Sequence, residues 1–195
     1  MKSYTEVRMC ESLSHLIEKK SFNDITVKDI VKASQVNRQT FYYHFEDKYD
    51  CLRAYLDNQS QQIVNNVTLD NWAECYLHVF RYIDTRPTFF YHIDESNASS
   101  LFNDFILETI MIILKKLIDF LKTNSGYVFD KEPNLQVLKY GMQGIVLSWF
   151  RSGMRENPEF LVRDIAEIDH ETLMHMLGGV KMEAISNTKR NVSKN

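Results

Sequence analysis

Between Thr26 and His44 the chain carries two helix-start signals with only a four-residue break, SQVN, before the second takes hold. In TVKD, Thr26 is an N-cap candidate and Asp29 sits three residues on, a capping-box pattern with Asp in the place of Glu. Asn37 is a second N-cap candidate, ahead of RQTFYYH. Two capped segments this short and this close fold as a pair of helices joined by a tight turn, and few other structures remain open to them.

The rest of the chain is compatible with helices throughout. Its three prolines all fall between periodic segments. Val7, Cys10, Leu13 and Ile17 recur at helical spacing and predict a first helix over Tyr4 to Lys19. SFNDI reads as a turn, and the second helix takes Ile30, Val31 and Ala33 as its inner face. The third spans Arg38 to His44, and a longer fourth follows, with Tyr49, Leu52, Leu56 and Ile63 on one side. NWAECYLHVFRYIDTR predicts a helix that ends before Pro87, FFYHIDESNASS a connection, and Phe102 to Leu121 a central helix apolar on nearly every side. NSGYVFDKEPN reads as a loop, Leu135 to Met154 as another apolar helix, NPEF as a turn, and Leu161 to Leu177 as the last helical material. The expected architecture is all-α: a three-helix helix-turn-helix domain over residues 1–47, a larger helical bundle over 48–180, and a polar tail over 181–195.

In a helix-turn-helix, the second helix of the pair enters the DNA major groove and its first turn reaches base edges. Here that turn offers Arg38, Gln39 and Thr40, whose side chains suit guanine, adenine and the thymine methyl or a phosphate. Bulk charge does not announce the function. The chain has a formal net charge of -3. Between Met1 and Ser60, basic and acidic residues balance at nine each. Phosphate binding there depends on where charges are placed, not on their sum.

ITVKDIVKASQVNRQTFYYHFEDKYDCL resembles the DNA-binding signature of the TetR family of transcriptional regulators, and the similarity runs from about Val7 to Leu56. The resemblance implies that Ile30, Ala33, Val36, Phe41 and Phe45 are core, and that Tyr42, Tyr43 and His44 lie against the DNA backbone. It also implies that Lys48 and Thr26 each meet a phosphate; Lys28 and Asn37 complete the candidate DNA set. One departure is Gln35, where the family commonly has Gly, so a non-glycine residue is expected at a positive-φ turn position. LKYGMQGIVLSWFRSGMRENPEFL resembles the subgroup of dihydroxyacetone kinase operon activators, through its Gly-x-x-Gly, its Trp, Gly153 and the Pro158-Glu159 pair.

Members of such a family act as homodimers on operator DNA, and the C-terminal half must then supply a self-complementary surface. Gly141, Gly144, Val146, Ser148 and Trp149 are the candidates for it. The resemblance also implies a small-molecule effector or a protein co-regulator acting on this half. Trp72, Tyr76, Phe80, Phe89, Phe90, Tyr91, Met111 and Met142 supply aromatic and Met stripes, which at helical spacing usually pack a core, and no ligand is named from them.

Two alternatives share the fold. Cys75 and His78 lie three residues apart and His92 follows after a turn, ligand types that suit a zinc-responsive regulator. The neutral N-terminal region also admits a protein-interaction module that does not bind an operator. An enzyme finds no support: no phosphate-cradling glycine loop, HExxH or GxSxG occurs, and no cofactor is implied. The most apolar window, Phe102 to Leu121, is interrupted by Asp104, Glu108, Lys115, Lys116 and Asp119, short of the ~18 apolar residues of a membrane span. With no signal-like segment at the start and three scattered cysteines, a cytoplasmic protein with no membrane partner is expected.

Overall fold

The computed structural model describes residues 3–64, 70–124, 127–129, 135–168 and 170–181. Ser3 accepts a hydrogen bond from the Glu6 amide and starts α1 (Tyr4–Ile17). A single 3-10 turn, Phe22–Asp24, stands where the turn was expected. The helix pair follows as α2 (Val27–Ala33) and α3 (Arg38–His44), and α4 runs over Lys48–Ile63. Then come α5 (Trp72–Asp84), α6 (Pro87–Asp94) and α7 (Ser99–Asn124). The chain continues with β1 (Tyr127–Phe129), α8 (Gln136–Arg151), α9 (Pro158–Ala166), α10 (His170–Met176) and β2 (Gly179–Lys181).

The fold is all-α, and two local departures from the expected pattern have physical causes. FFYHID is not a connection but α6: Pro87 occupies its first turn, where no N–H is needed, and Phe89, Phe90 and Ile93 bury one face at i, i+1 and i+4. The polar ESNASS that follows hid this short period. Within the expected loop, Tyr127–Phe129 pairs antiparallel with Gly179–Lys181, Val128 opposite Val180. Three residues are too few for an alternating pattern to stand out in a sequence. The polar tail expected from 181 lies, beyond Lys181 itself, outside the described residues.

Compactness groups residues 1–63 with 79–109, and 64–78 with 110–195. In this grouping α4 falls in the first unit. In the first unit Met9, Leu13, Ile17, Phe22, Ile30, Phe41 and Leu52 are buried. A ring cluster continues this core: Phe90 packs against Phe89, Phe102 and Phe105, with centroids 5.0, 5.0 and 5.6 Å away. In the second unit Trp72, Tyr76, Ile113, Leu117, Met142, Val146 and Phe150 are buried. There the Tyr76 hydroxyl donates to the Met142 carbonyl at 2.8 Å. The stripes considered for a ligand are thus largely core.

Candidate nucleic-acid interface

The helix pair is assembled from caps outward. The Asp29 carboxylate accepts from the Thr26 amide and from the Thr26 hydroxyl, both at 2.9 Å, while the Asp29 amide donates back to that hydroxyl at 3.2 Å. The expected capping box is therefore complete. Lys20 joins it, 3.1 Å from the same carboxylate. The Thr26 amide, then Lys20 and the Thr26 hydroxyl, hold the Asp29 carboxyl at about 2, below the usual carboxylate range.

At the far end of α2, Ser34 is buried and its hydroxyl donates to the Ile30 carbonyl at 2.7 Å. Ala33, expected in the core, is exposed. In a helix this short the inward positions are 30, 31 and 34, and Ser34 takes the place assigned to Ala33. Gln35 then turns the chain at φ 53, the left-handed conformation expected from its position. The Arg8 guanidinium reaches across from α1 and donates to the carbonyls of Ser34 and Gln35. Those are carbonyls that the end of α2 leaves without helical partners.

Asn37 caps α3, accepting from the Thr40 amide at 2.7 Å and the Thr40 hydroxyl at 3.0 Å. Phe41 and Phe45 point inward and are buried, as expected. Arg38 and Gln39 are exposed, Tyr42 is 51% exposed and Tyr43 84%. Thr40 and His44 are half-buried, with the His44 ring edge-on to Tyr43 at 5.0 Å. Arg38 lies along Tyr42, its guanidinium 5.9 Å from the ring centroid and its Nη2 donating to the hydroxyl at 3.4 Å. The helix thus presents one cation, one amide and two tyrosines on a single outward face. Lys28 is exposed in the first turn of α2.

Two of the residues expected at phosphates make hydrogen bonds within their own chain. The Lys48 ammonium donates to the carbonyls of Phe22, Asn23 and Ile25 at 2.8, 3.2 and 2.8 Å, which uses all three of its protons. It also sits 4.5 Å from the Phe22 ring centroid, and burial pulls its pKa down. Lys48 braces the 3-10 turn. Both the amide and the hydroxyl of Thr26 likewise belong to the capping box.

The metal alternative is not assembled either. Among the described residues no group of three or more His, Cys, Asp or Glu comes together to hold an ion. Cys75 is directed at the Asn71 side-chain oxygen, His78 lies 3.3 Å from Glu74, and His92 Nδ1 is 2.6 Å from the Ile17 carbonyl.

Sequence reasoning missed the braces themselves. Arg86, at the start of α6, donates from Nε to Glu18 and from Nη2 to Ser14, each at 2.7 Å, and from Nη1 to the Tyr55 hydroxyl. Glu18 and Ser14 lie 68 and 72 residues away in sequence, so no local pattern pointed to them. Arg8 was equally silent, an arginine one residue before the buried Met9.

A capped helix pair with an outward face of Arg, Gln and Tyr on its second member, in an all-α chain, defines a helix-turn-helix DNA-binding regulator of transcription. The chain belongs to the TetR family. Residues 13–55 match the sequence model of bacterial regulatory proteins of the tetR family, and residues 70–170, more than half of the chain, match that of a transcriptional regulator C-terminal region. The HTH-type dhaKLM operon transcriptional activator DhaS of Lactococcus lactis subsp. lactis (strain IL1403) is 23% identical over 154 residues, 78% of this chain and 81% of that protein. The solved structure of the dihydroxyacetone kinase operon activator DhaS superimposes with a TM-score of 0.60 at 23% identity, covering 85% of this chain and 93% of that one. The fatty acid degradation regulator FadR from Bacillus halodurans superimposes with a TM-score of 0.57 at 15% identity, over 86% and 95% of the two chains. The family consists of regulators, not enzymes, and no helix among the described residues is long and apolar enough to cross a membrane.

Proposed function

We propose that the protein binds a palindromic operator as a homodimer, with Arg38 and Gln39 reading base edges and Tyr42, Tyr43 and His44 lying along the phosphates. The observation that carries this reading is the split of α3: Phe41 and Phe45 are buried while Arg38, Gln39, Tyr42 and Tyr43 face outward. Large tyrosines left exposed beside an arginine suit a partner that offers phosphates and base edges. Thr40, with its hydroxyl on Asn37, supports the first turn and leaves its methyl for a base.

The dimer surface is the outer face of α8. Val137 is 74% and Tyr140 55% exposed, and Gly141, Gly144 and Ser148 continue the same stripe at helical spacing. A Cβ built on Gly141 or Gly144 meets nothing within 4 Å in its own chain. These glycines therefore do not serve packing inside the subunit, and a second helix could approach closely there. Val146 and Trp149, expected on this surface, are buried on the opposite side, with the Trp149 indole donating to the Glu156 carbonyl at 2.9 Å. Two heads related by a two-fold axis would take half-sites about 34–36 Å apart or a multiple of that.

An effector or co-regulator acting on the C-terminal half sets operator affinity through its differential affinity for the two head arrangements. The test is selection of bound sequences from a random duplex pool with the full-length protein. A palindromic consensus whose affinity falls steeply with salt is the expected result. Sequence-independent capture with no consensus would remove the operator reading.

A further inference from the structure

Cys10 on α1 and Cys51 on α4 face each other inside the first unit, both as free thiols and both buried. The Cys51 thiol donates to the Cys10 sulfur with the two Sγ atoms 4.0 Å apart, and the Cys10 thiol donates to the Cys51 carbonyl at 3.6 Å. Beside them a cavity of about 130 Å³ opens between α1 and α4, lined by Val7, Cys10, Glu11, Tyr55, Asn58 and Gln62 among others. One water needs only about 10–15 Å³ of such space, so a molecule of peroxide size has room next to Cys10. Cys51, fully enclosed, lies behind it.

From this arrangement we infer that Cys10 and Cys51 form a peroxide-reactive dithiol site whose closure to a disulfide weakens operator binding. Cys10, which lines the cavity, reacts first: its sulfur attacks one peroxide oxygen, an S–O bond forms, the O–O bond breaks, and the thiol proton leaves with the second oxygen as water. The Cys51 sulfur then attacks the Cys10 sulfur, the S–S bond forms, and the hydroxide released takes the Cys51 proton as a second water. The two sulfurs together give up two electrons and the peroxide accepts both.

The hydrogen bond to Cys10 and burial push the Cys51 thiol up, which suits the resolving role and disfavours it as the first nucleophile. The consequence for DNA follows from position. Bonding brings the sulfurs from 4.0 Å to about 2.05 Å and draws α1 and α4 together. Arg8, two residues before Cys10, holds the turn carbonyls of Ser34 and Gln35, and Lys48, three residues before Cys51, holds those of Phe22 and Ile25. The brace of the turn before the recognition helix and the brace of the 3-10 turn before α2 therefore both lie within a turn of the new bond.

The operator arm of the test rests on the function proposed above; the bond itself does not. Reduced full-length protein is exposed to hydrogen peroxide, quenched, alkylated and mapped by peptide mass. A Cys10–Cys51 cross-linked peptide that dithiothreitol reverses is expected. The affinity for a selected operator is expected to fall roughly tenfold, the scale of ordinary allosteric coupling, and to recover on reduction. Cys10→Ala should keep its affinity under peroxide, and Cys51→Ser provides the second variant if Cys10→Ala does not fold. Recovery of both thiols unmodified under conditions that oxidise Cys75, or a cross-link that leaves operator affinity unchanged, overturns the inference.

Discussion

Arg86 and Glu18 form an ion pair with the guanidinium Nε and Nη2 each 2.7 Å from one carboxylate oxygen. The guanidinium plane also lies over Phe89, 4.2 Å from the ring centroid. Because Nη2 and Nη1 continue to Ser14 and Tyr55, one side chain ties the start of α6 to α1 and α4. Arg86→Met removes all of these donors and leaves Glu18 partly enclosed without its cation. A loss of about 2–3 kcal/mol in urea unfolding is expected, below the full cost of a deeply buried pair because both partners keep some solvent. Glu18→Gln should cost less, since its amide oxygen still accepts. Equal losses in the two variants would show that the Ser14 and Tyr55 contacts add nothing to the pair.

Lys48 gives a prediction that separates a brace from a phosphate contact. With its three protons on main-chain carbonyls, Lys48→Met should cost about 1–3 kcal/mol of stability. The slope of log affinity against log salt should stay as in the parent, because no counterion-releasing contact is lost. A drop of about one phosphate contact in that slope, with stability unchanged, would reverse the assignment.

On α3 the predictions divide by role. Arg38→Ala and Gln39→Ala should each relax preference at one or two positions of a selected operator, by about 1–3 kcal/mol of discrimination per base contact. Tyr43→Ala, at the most exposed ring of the helix, should weaken specific and non-specific duplexes alike. Competition binding against single-substitution operators reads both effects. An unchanged preference profile in both Arg38→Ala and Gln39→Ala would place base reading elsewhere.

What the sequence made legible follows the range of the interactions. Caps and periods act over three or four residues, so the Thr26–Asp29 box, the Asn37 cap, the left-handed Gln35 and the inward Phe41 and Phe45 could all be read. The same spacing places Gly141 and Gly144 on one exposed side of α8, whereas Val146 and Trp149 share the helix and are buried on another side. Family likeness gives Lys48 a position at the start of α4, whereas its carbonyl partners come from a turn 23 to 26 residues earlier, beyond the reach of a local pattern. Arg8 and Arg86 were invisible for the same reason: their partners are main-chain or side-chain groups that only the tertiary fold brings near.

The capping box sets an acid limit. Asp29 ionises at about 2 in the folded chain and near ~3.9 in an unfolded one. A depressed folded pKa means the unfolded state takes the proton first, so this contribution is fully present above about pH 4 and is lost as pH falls through about 2. Asp29 is partly exposed and screened, so the expected difference between the parent and Asp29→Ala at neutral pH is about 1 kcal/mol, the scale of a helix cap. Thermal melts of both proteins between pH 7 and pH 2 should show the gap closing towards the acid end. A gap that is constant over this range would mean that the carboxylate's charge does not stabilise the box.

Gly144 separates folding from assembly. It lies within α8, where glycine costs about 1 kcal/mol relative to alanine, and a Cβ added there meets nothing in its own chain. Gly144→Ala should therefore stabilise the isolated subunit. Gly144→Leu should leave the subunit folded but hold a partner helix away from the stripe that Val137, Tyr140, Gly141 and Ser148 form. Sedimentation equilibrium is expected to show a weaker dimer for Leu, with the helical circular dichroism signal intact. Operator affinity should fall with the dimer population, since two heads must engage together. If the Leu variant remains as tightly dimeric as the parent, the outer face of α8 is not where the subunits meet.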